Sequence, residues 1–416
     1  MKETLKVVIA DQLDFLKSTE ESVIREIPQT LVDIPEILVI SGIRRSGKST
    51  LLQQIRQKRK EKDYYLNFDD DRLVNFTVDD FQVLYELFIE LFGEQKTFYF
   101  DEIQNIPGWE RFVRRLHDYG NKVFITGSNA TMLSRELGTH LTGRFVRYEL
   151  YPFSFNEFLK FKREKVSQQT MINTAGKAKL KSLFNEYFVS GGFPVFLKTK
   201  EEDTLKYLFE SVLYKDIMVR NKLTNEKELL ELVFFLASNV SKTSSYNSLA
   251  KVIGVKNATT VKNYLAFLQD SYMIFQTNKY DSSLKKQVQN AKKTYFIDNA
   301  LVKKLGFSFS ENTGRLLENL VFIELKRRCK SVYYHKGKGE CDFVIRESYH
   351  INEAIQVCAV FESNETKERE ISGLLEALES YSLEKGTIIT LDTEEQLTIG
   401  DKQVIVTPVW KWLMLK

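Results

Sequence analysis

Residues Gly42-Ile43-Arg44-Arg45-Ser46-Gly47-Lys48-Ser49 set two glycines, a lysine and a hydroxyl at the spacing GxxxxGK[ST]. Glycine at both fixed positions lets a backbone turn wrap its N–H groups around an anion with no Cβ in the way. A helix starting at the lysine aims the positive end of its dipole at the same anion. The chemistry this suits is the holding of a nucleoside triphosphate. Gly42 through Thr50 would line the phosphates, Lys48 would reach the β- and γ-phosphates, and Ser49 would ligate magnesium. The ordinary alternative is a chance glycine turn. The flanks argue against it, because Ile37-Leu-Val-Ile-Ser41 reads as a strand, while Leu51, Leu52 and Ile55 share one helix face.

Such a turn needs an acid on a neighbouring strand. Phe98-Tyr-Phe100-Asp101-Glu102 ends an apolar strand in two carboxylates. Asp101 fits the magnesium shell, and Glu102 fits the base that polarises an attacking water. A further strand, Val123 to Thr126, ends in Gly127-Ser128-Asn129. Asn129 suits a group that holds the water or senses the γ-phosphate; Ser128 is the alternative, and an ordinary polar turn is the rival reading. Arg144, soon after, has the charge to stabilise a γ-phosphoryl transition state, often from a neighbouring subunit, although an isolated arginine is usually a surface residue. The expected ligands are therefore ATP and Mg2+.

These residues need a frame. A chain of 416 residues is expected to form several domains. Its 43% hydrophobic and 28% charged content is that of a globular protein, and excludes a disordered chain or a membrane span. A formal charge of +4 permits nucleic-acid contact without demanding it. The three cysteines, Cys329, Cys341 and Cys358, show no CxxC spacing, which argues against a zinc site or disulfide framework and fits a reducing compartment. With no secretory apolar segment at the N-terminus, a cytoplasmic location is expected.

Residues 1–150 alternate strands (37–41, 64–68, 97–100, 123–126) with helices (49–59, 81–92, 109–119), which predicts a mostly parallel sheet covered on both faces. Residues 151–240 read as helical, interrupted by Gly191-Gly-Phe-Pro194. Residues 241–305 carry a helix, a Gly254-Val255 turn, a second helix and a strand, the pattern of a winged helix-turn-helix. Residues 306–416 return to mixed α/β.

The chain resembles a large family of bacterial and archaeal AAA-type P-loop ATPases whose C-terminal domain, of unknown function, is related to restriction endonucleases. The resemblance covers nearly the whole chain. It is carried by Ser41 to Thr50, Asn67-Phe-Asp-Asp70, Asp101-Glu-Ile-Gln104, Ile125-Thr-Gly-Ser128, Leu141-Thr-Gly-Arg144, Leu150-Tyr-Pro-Phe153, Gly191-Gly-Phe-Pro194, Lys215-Asp-Ile217 and Glu318-Asn319. It implies an α/β fold with a P-loop NTPase sheet, a helical lid from which Arg220 approaches the nucleotide, the winged helix, and the endonuclease-like domain. It also strengthens the reading of Arg144 as a γ-phosphate arginine.

Partners follow from the C-terminal half. Lys256, Asn257, Thr259, Thr260, Lys262 and Asn263, with Lys279, Lys285, Lys286, Lys292 and Lys293 behind them, suit DNA contact through residues 245–293. The same module also serves such ATPases as a rigid connector, and a homo-oligomer is a further expected partner. In the endonuclease-like part Glu318 and Asp342 fit the first two acids, but the third position and its lysine read Gln356 and Cys358. A lost negative ligand and a lost ammonium argue for an inactive nuclease, although Lys336 and Lys338 remain to hold a phosphate backbone.

Overall fold

Strand–helix alternation in the first third of the chain builds a parallel sheet of five strands. The computed structural model describes residues 1–17, 22–128, 141–307 and 313–415. In chain order the elements are α1 (Lys2–Lys17), α2 (Gln29–Asp33), β1 (Ile37–Ser41), α3 (Lys48–Arg59), β2 (Tyr64–Asn67), α4 (Asp80–Phe92), β3 (Thr97–Asp101), α5 (Trp109–Asp118), β4 (Lys122–Gly127) and β5 (Phe145–Glu149). The strand order is β2-β3-β4-β1-β5, so β1 is interior and all five of its residues are buried.

Successive residues of β1 serve opposite faces. Ile37 and Val39 join a core with Leu5, Val8 and Ile9 of α1, Phe81 and Phe88 of α4, and Trp109 and Phe112 of α5. Leu38 and Ile40 join a second core with Leu51, Leu52 and Ile55 of α3. Each large side chain so buried contributes about 1.5–3 kcal/mol, which fixes the strand ends tightly. Parallel register then gathers those ends: Ser41 pairs with Gly127, and Phe100 with Ile125, so that Asp101 comes level with Thr126.

This sheet belongs to one compact unit, Met1–Tyr151 with Asp270–Tyr272; the second comprises Pro152–Gln269 and Met273–Lys416. The second unit begins with helices, including a π-helical run at Val212–Val219. A three-stranded antiparallel sheet follows, of β6 (Thr243–Ser244), β7 (Ile274–Asn278) and β8 (Lys292–Phe296), in the order β6-β8-β7. Helices Tyr246–Val252 and Ala258–Asp270 lie between β6 and β7 in the chain. After the helix Thr313–Arg327 comes a mixed sheet of β9 (Ser331–Lys336), β10 (Glu340–Glu347), β11 (His350–Val357), β12 (Lys385–Thr390), β13 (Glu395–Ile399) and β14 (Lys402–Pro408), ordered β13-β14-β12-β11-β10-β9. The double glycine at 191–192 has a packing cause. A Cβ on Gly191, at φ +65°, would stand 1.9 Å from Asp298 Oδ1, and Gly192 N donates to Asp298 Oδ2 at 2.7 Å. Among the described residues no helix is long and apolar enough to cross a membrane.

Candidate active site

The turn after β1 runs from Gly42 to Gly47, and α3 starts at Lys48. Its glycines are required by contacts as well as by any ligand. A Cβ on Gly42 would meet the Leu150 carbonyl oxygen at 2.2 Å, and Gly47 takes φ +98° with the Arg25 guanidinium 2.8 Å from its Cβ position. Arg45 is held at φ +65°, and Glu102, just past β3, at φ +49°. Side chains rarely adopt that left-handed region, and such strain gathers where geometry serves function.

Lys48 is buried, its Nζ 3.3 Å from Glu102 Oε1 and donating to the Ile43 carbonyl at 3.4 Å. Gln104 Nε2 donates to the other Glu102 oxygen at 2.6 Å. Thr126, at the end of β4, ties the acids together: its hydroxyl donates to Asp101 Oδ1 and accepts from Glu102 N at 2.9 Å. The two carboxylates are tuned apart. Burial, then the Glu102 charge, push Asp101 up to about 6, against the neighbouring hydroxyls of Thr126 and Ser49 and the charge of Lys48. Burial also pushes on Glu102, but Lys48, Gln104 and Arg44 outweigh it and hold this carboxyl below the ordinary range. Glu102 therefore stays ionised, as a base must.

The donor set fits a magnesium-bound triphosphate. Asp101 Oδ2, Ser46 Oγ and Ser128 Oγ are buried polar atoms without a hydrogen-bond partner, a costly state in a finished interior. A cation at Asp101 and an anion in the turn would satisfy them. A metal in this cleft would be held by Asp101 and Ser49.

An alignment spanning 97% of this chain and 94% of an uncharacterized protein of Methanocaldococcus jannaschii gives 36% identity over 426 residues. An uncharacterized protein of Haemophilus influenzae is 32% identical over 395 residues, 91% of this chain and 94% of that one. Residues 35–159, which hold the turn, Asp101, Glu102 and Thr126, match the AAA domain. The chain belongs to one family with these two uncharacterized proteins, and it carries an AAA domain. The parallel sheet of this AAA-domain protein has the P-loop NTPase fold. Residues 181–312 match a domain of unknown function. Among solved structures, the Thermotoga maritima RuvB Holliday junction branch migration motor is similar at TM-score 0.29 and 15% identity, over 66% of this chain and 88% of that one. Cdc6p from Pyrobaculum aerophilum is similar at TM-score 0.26 and 13% identity, over 70% and 97%.

Within the AAA domain, Gly42 to Thr50, Asp101 and Glu102 lie together. Asn129 lies outside the described residues; Ser128, its alternative, directly follows β4, whose last residue, Gly127, pairs with Ser41 at the entry to the cradle. Arg144 does not reach the cradle of its own chain. Its carbonyl accepts from Ile37 N at 2.8 Å, at the start of β1, whereas the cradle follows Ser41, about 13 Å away along the strand. Its Nε donates to Asp118 Oδ1 at 2.7 Å. An in-chain contact of Arg144 with the γ-phosphate is therefore set aside. Three contributors were given no role by the sequence. Arg25, from the extended segment before α2, is buried and donates to the Ser46 and Tyr151 carbonyls, stapling the turn from behind. Thr126 is the second. The third is Tyr272, whose hydroxyl donates to Ser41 Oγ at 2.7 Å. The one signal within reach was Thr126, a hydroxyl on the strand next to Asp101.

Proposed function

We propose that this AAA-domain protein binds ATP with magnesium in the Gly42–Thr50 turn and hydrolyses it, and that the nucleotide state governs a DNA- or partner-binding C-terminal half. The unpaired, buried Asp101 Oδ2 beside Lys48 and Ser49 is the observation that carries the reading. Backbone N–H groups of the turn receive the phosphates, aided by the α3 dipole. Lys48 moves its ammonium from Glu102 and the Ile43 carbonyl to the β- and γ-phosphate oxygens. That releases Glu102 to take a proton from the attacking water, while Ser128 or Asn129 holds the water in line. When bound, Mg2+ on Ser49 and Asp101 supplies positive charge beside the phosphates. Arg144 acts on the nucleotide of a neighbouring copy. Hydrolysis per chain then rises steeply with protein concentration, and Arg144→Ala flattens that rise; an unaltered profile in the variant sinks this part.

DNA contact rests on the order helix (Glu226–Ser238), β6, two helices, β7, a short helix (Leu284–Gln289), β8, which resembles that of a winged helix-turn-helix. Lys256, Asn257, Thr259, Lys262, Asn263, Lys285 and Lys286 are exposed on it. Lys293, expected from the sequence to join them, is buried and leaves the set. A second reading, an assembly switch with slow turnover, uses the same module as a rigid connector. ATP turnover measured alone and with single-stranded DNA, duplex DNA and RNA tests the proposal. Stimulation by nucleic acid supports the leading reading. Turnover without stimulation, with an ATP-dependent change in mass, supports the switch. No turnover above a Glu102→Gln control overturns both. For the C-terminal part we propose an endonuclease-like domain without nuclease activity, because Gln356 and Cys358 stand at the third acid and lysine positions of β11 and its end. Plasmid nicking with Mg2+ or Mn2+ that Asp342→Ala abolishes would refute that.

A further inference from the structure

Lys293 is the second residue of β8, the middle strand of its sheet, opposite Thr243 on one side and Thr277 on the other. Its side chain is 3% exposed. An ammonium in such a position costs several kcal/mol of lost hydration unless its surroundings replace that hydration. Here the replacement is complete. Nζ lies 2.9 Å from Glu318 Oε1 on the helix Thr313–Arg327, 2.9 Å from Glu340 Oε1 and 2.9 Å from Asp342 Oδ1, the last two on β10. Three N–H donors meet three carboxylates, which is all a lysine can offer. Burial opposes the charge on Lys293, but Asp342 and then Glu318 outweigh it and hold the ammonium protonated well above its ordinary range.

The carboxylates are oriented in turn. Tyr295, two residues on and therefore on the same face of β8, donates to Glu318 Oε1 at 2.7 Å. Asp342 Oδ2 accepts from Val357 N at 3.1 Å, and Asp342 N donates to Gln356 Oε1 at 3.1 Å. Lys336 pairs with the outer oxygen of Glu340 at 3.4 Å. Acids from a helix and a strand converging on one positive centre are the arrangement by which proteins hold a divalent cation. The centre here is tethered to the chain, and the contact length is that of an ammonium hydrogen bond, longer than the ~2.0–2.6 Å of magnesium or calcium ligation. With the lysine in place, the described residues include no group of three or more His, Cys, Asp or Glu side chains that could hold a metal ion.

We propose that Lys293 is a built-in cation standing where Glu318, Glu340 and Asp342 would otherwise hold a divalent metal, and that it closes this site to metal in the native protein. The ammonium joins β8 to β10 and to the helix Thr313–Arg327 without any dissociable ion. Replacing it by a neutral side chain of similar length removes the internal cation and leaves three carboxylates with no positive charge at their centre, Lys336 remaining only on the outer oxygen of Glu340, a site for Mn2+ or Ca2+.

The test is Mn2+ binding by electron paramagnetic resonance on the full-length, nucleotide-free chain, with Asp101→Asn in every protein so that the P-loop metal is not counted. The Asp101→Asn chain should show no site that Asp342→Asn removes. Adding Lys293→Met should create one Mn2+ site per chain, at least about tenfold tighter than any in the parent, and adding Asp342→Asn should abolish it. If the Lys293→Met chain shows no cooperative melt in chelator, millimolar Mn2+ should restore one. The proposal is overturned by a Mn2+ site in the Lys293 parent that depends on Asp342. It is equally overturned by a folded Lys293→Met chain that gains no site, or by an unfolded one that Mn2+ does not rescue.

Discussion

Both units build a lysine facing acids, and the two constellations have opposite characters. Lys48 meets a single carboxylate oxygen, at 3.3 Å, while Asp101 Oδ2 beside it has no hydrogen-bond partner. Lys293 meets three carboxylates at 2.9 Å, and the acids are further held by Tyr295, Val357 and Lys336. The first is unfinished and therefore available to a ligand; the second is saturated and serves as internal glue. The same residue types thus support chemistry or architecture according to how many of their hydrogen bonds the fold has already used. Position explains the difference. Lys48 opens a helix after a strained turn, where backbone amides lack partners, whereas Lys293 sits in the middle of a sheet.

The largest effect separates the two at the level of turnover. Glu102→Gln should lower ATP hydrolysis by about 10²- to 10⁴-fold while the chain still binds nucleotide, measured by phosphate release beside a fluorescent-nucleotide titration. Unchanged turnover would remove Glu102 from the chemistry. Next comes stability. Lys293→Ala leaves the buried Asp342 and the largely buried Glu318 without their cation, while the half-exposed Glu340 keeps Lys336, and should cost about 3–5 kcal/mol in urea unfolding. Lys48→Ala should cost no more than about 1–2 kcal/mol, because Glu102 keeps Gln104 and the only other hydrogen bond that ammonium makes is the long one to the Ile43 carbonyl. Equal losses in the two variants would break the contrast drawn here.

How much of this was legible in the sequence follows the same division. The turn at 42–49, the acids at 101–102 and four strands of the first sheet announce themselves, because glycine spacing and wholly apolar runs are local signals. The fifth strand does not. Phe145-Val-Arg-Tyr-Glu149 is an edge strand whose residues are only half-buried, so it lacks the apolar run. Arg25 is invisible because its purpose depends on contacts 21 and 126 residues away. Lys293 was misjudged for a related reason. It stands in a lysine-rich stretch that reads as solvated, and only the pairing of β8 with β6 and β7 turns it inward. Its one local hint is the alternation with Tyr295, which precedes the apolar Phe296-Ile297.

Arg25 offers a smaller but sharper cut through the comparison, since it acts on the open site without touching a ligand. Removing its hydrogen bonds to the Ser46 and Tyr151 carbonyls should cost about 1.5–3 kcal/mol. Part of that should appear as weaker ATP binding, because the turn loses its backing. Arg25→Lys should recover part of the stability and little of the affinity, since one ammonium cannot span both carbonyls as a fork does. Isothermal titration beside thermal melts separates the two. If Arg25→Ala lowers stability and leaves ATP affinity intact, Arg25 braces the fold and not the cradle.

Asp298 supplies a third case, a buried acid held by backbone amides in place of an ammonium. It accepts from Gly192 N at 2.7 Å and from Ala300 N at 2.8 Å. Burial pushes it up to about 6, against those two bonds and the charge of Arg327. For an acid raised on folding, the sign is that protonation favours the native state. Its contribution is fully present below the ordinary value near 3.8 and is lost as pH rises through 6. From pH 4 to 6 the loss amounts to about 2 kcal/mol. Asp298→Asn cannot ionise, so the difference between its stability and that of the parent should change by that amount across the same window, whatever the fixed cost of the altered hydrogen bonds. Reading the slope and not the absolute value keeps that fixed cost out of the test. Parallel pH profiles for the two proteins would mean that the amides of Gly192 and Ala300 stabilise the carboxylate as fully as three acids stabilise Lys293, and the distinction between amide-held and ion-held charges in this fold would fail.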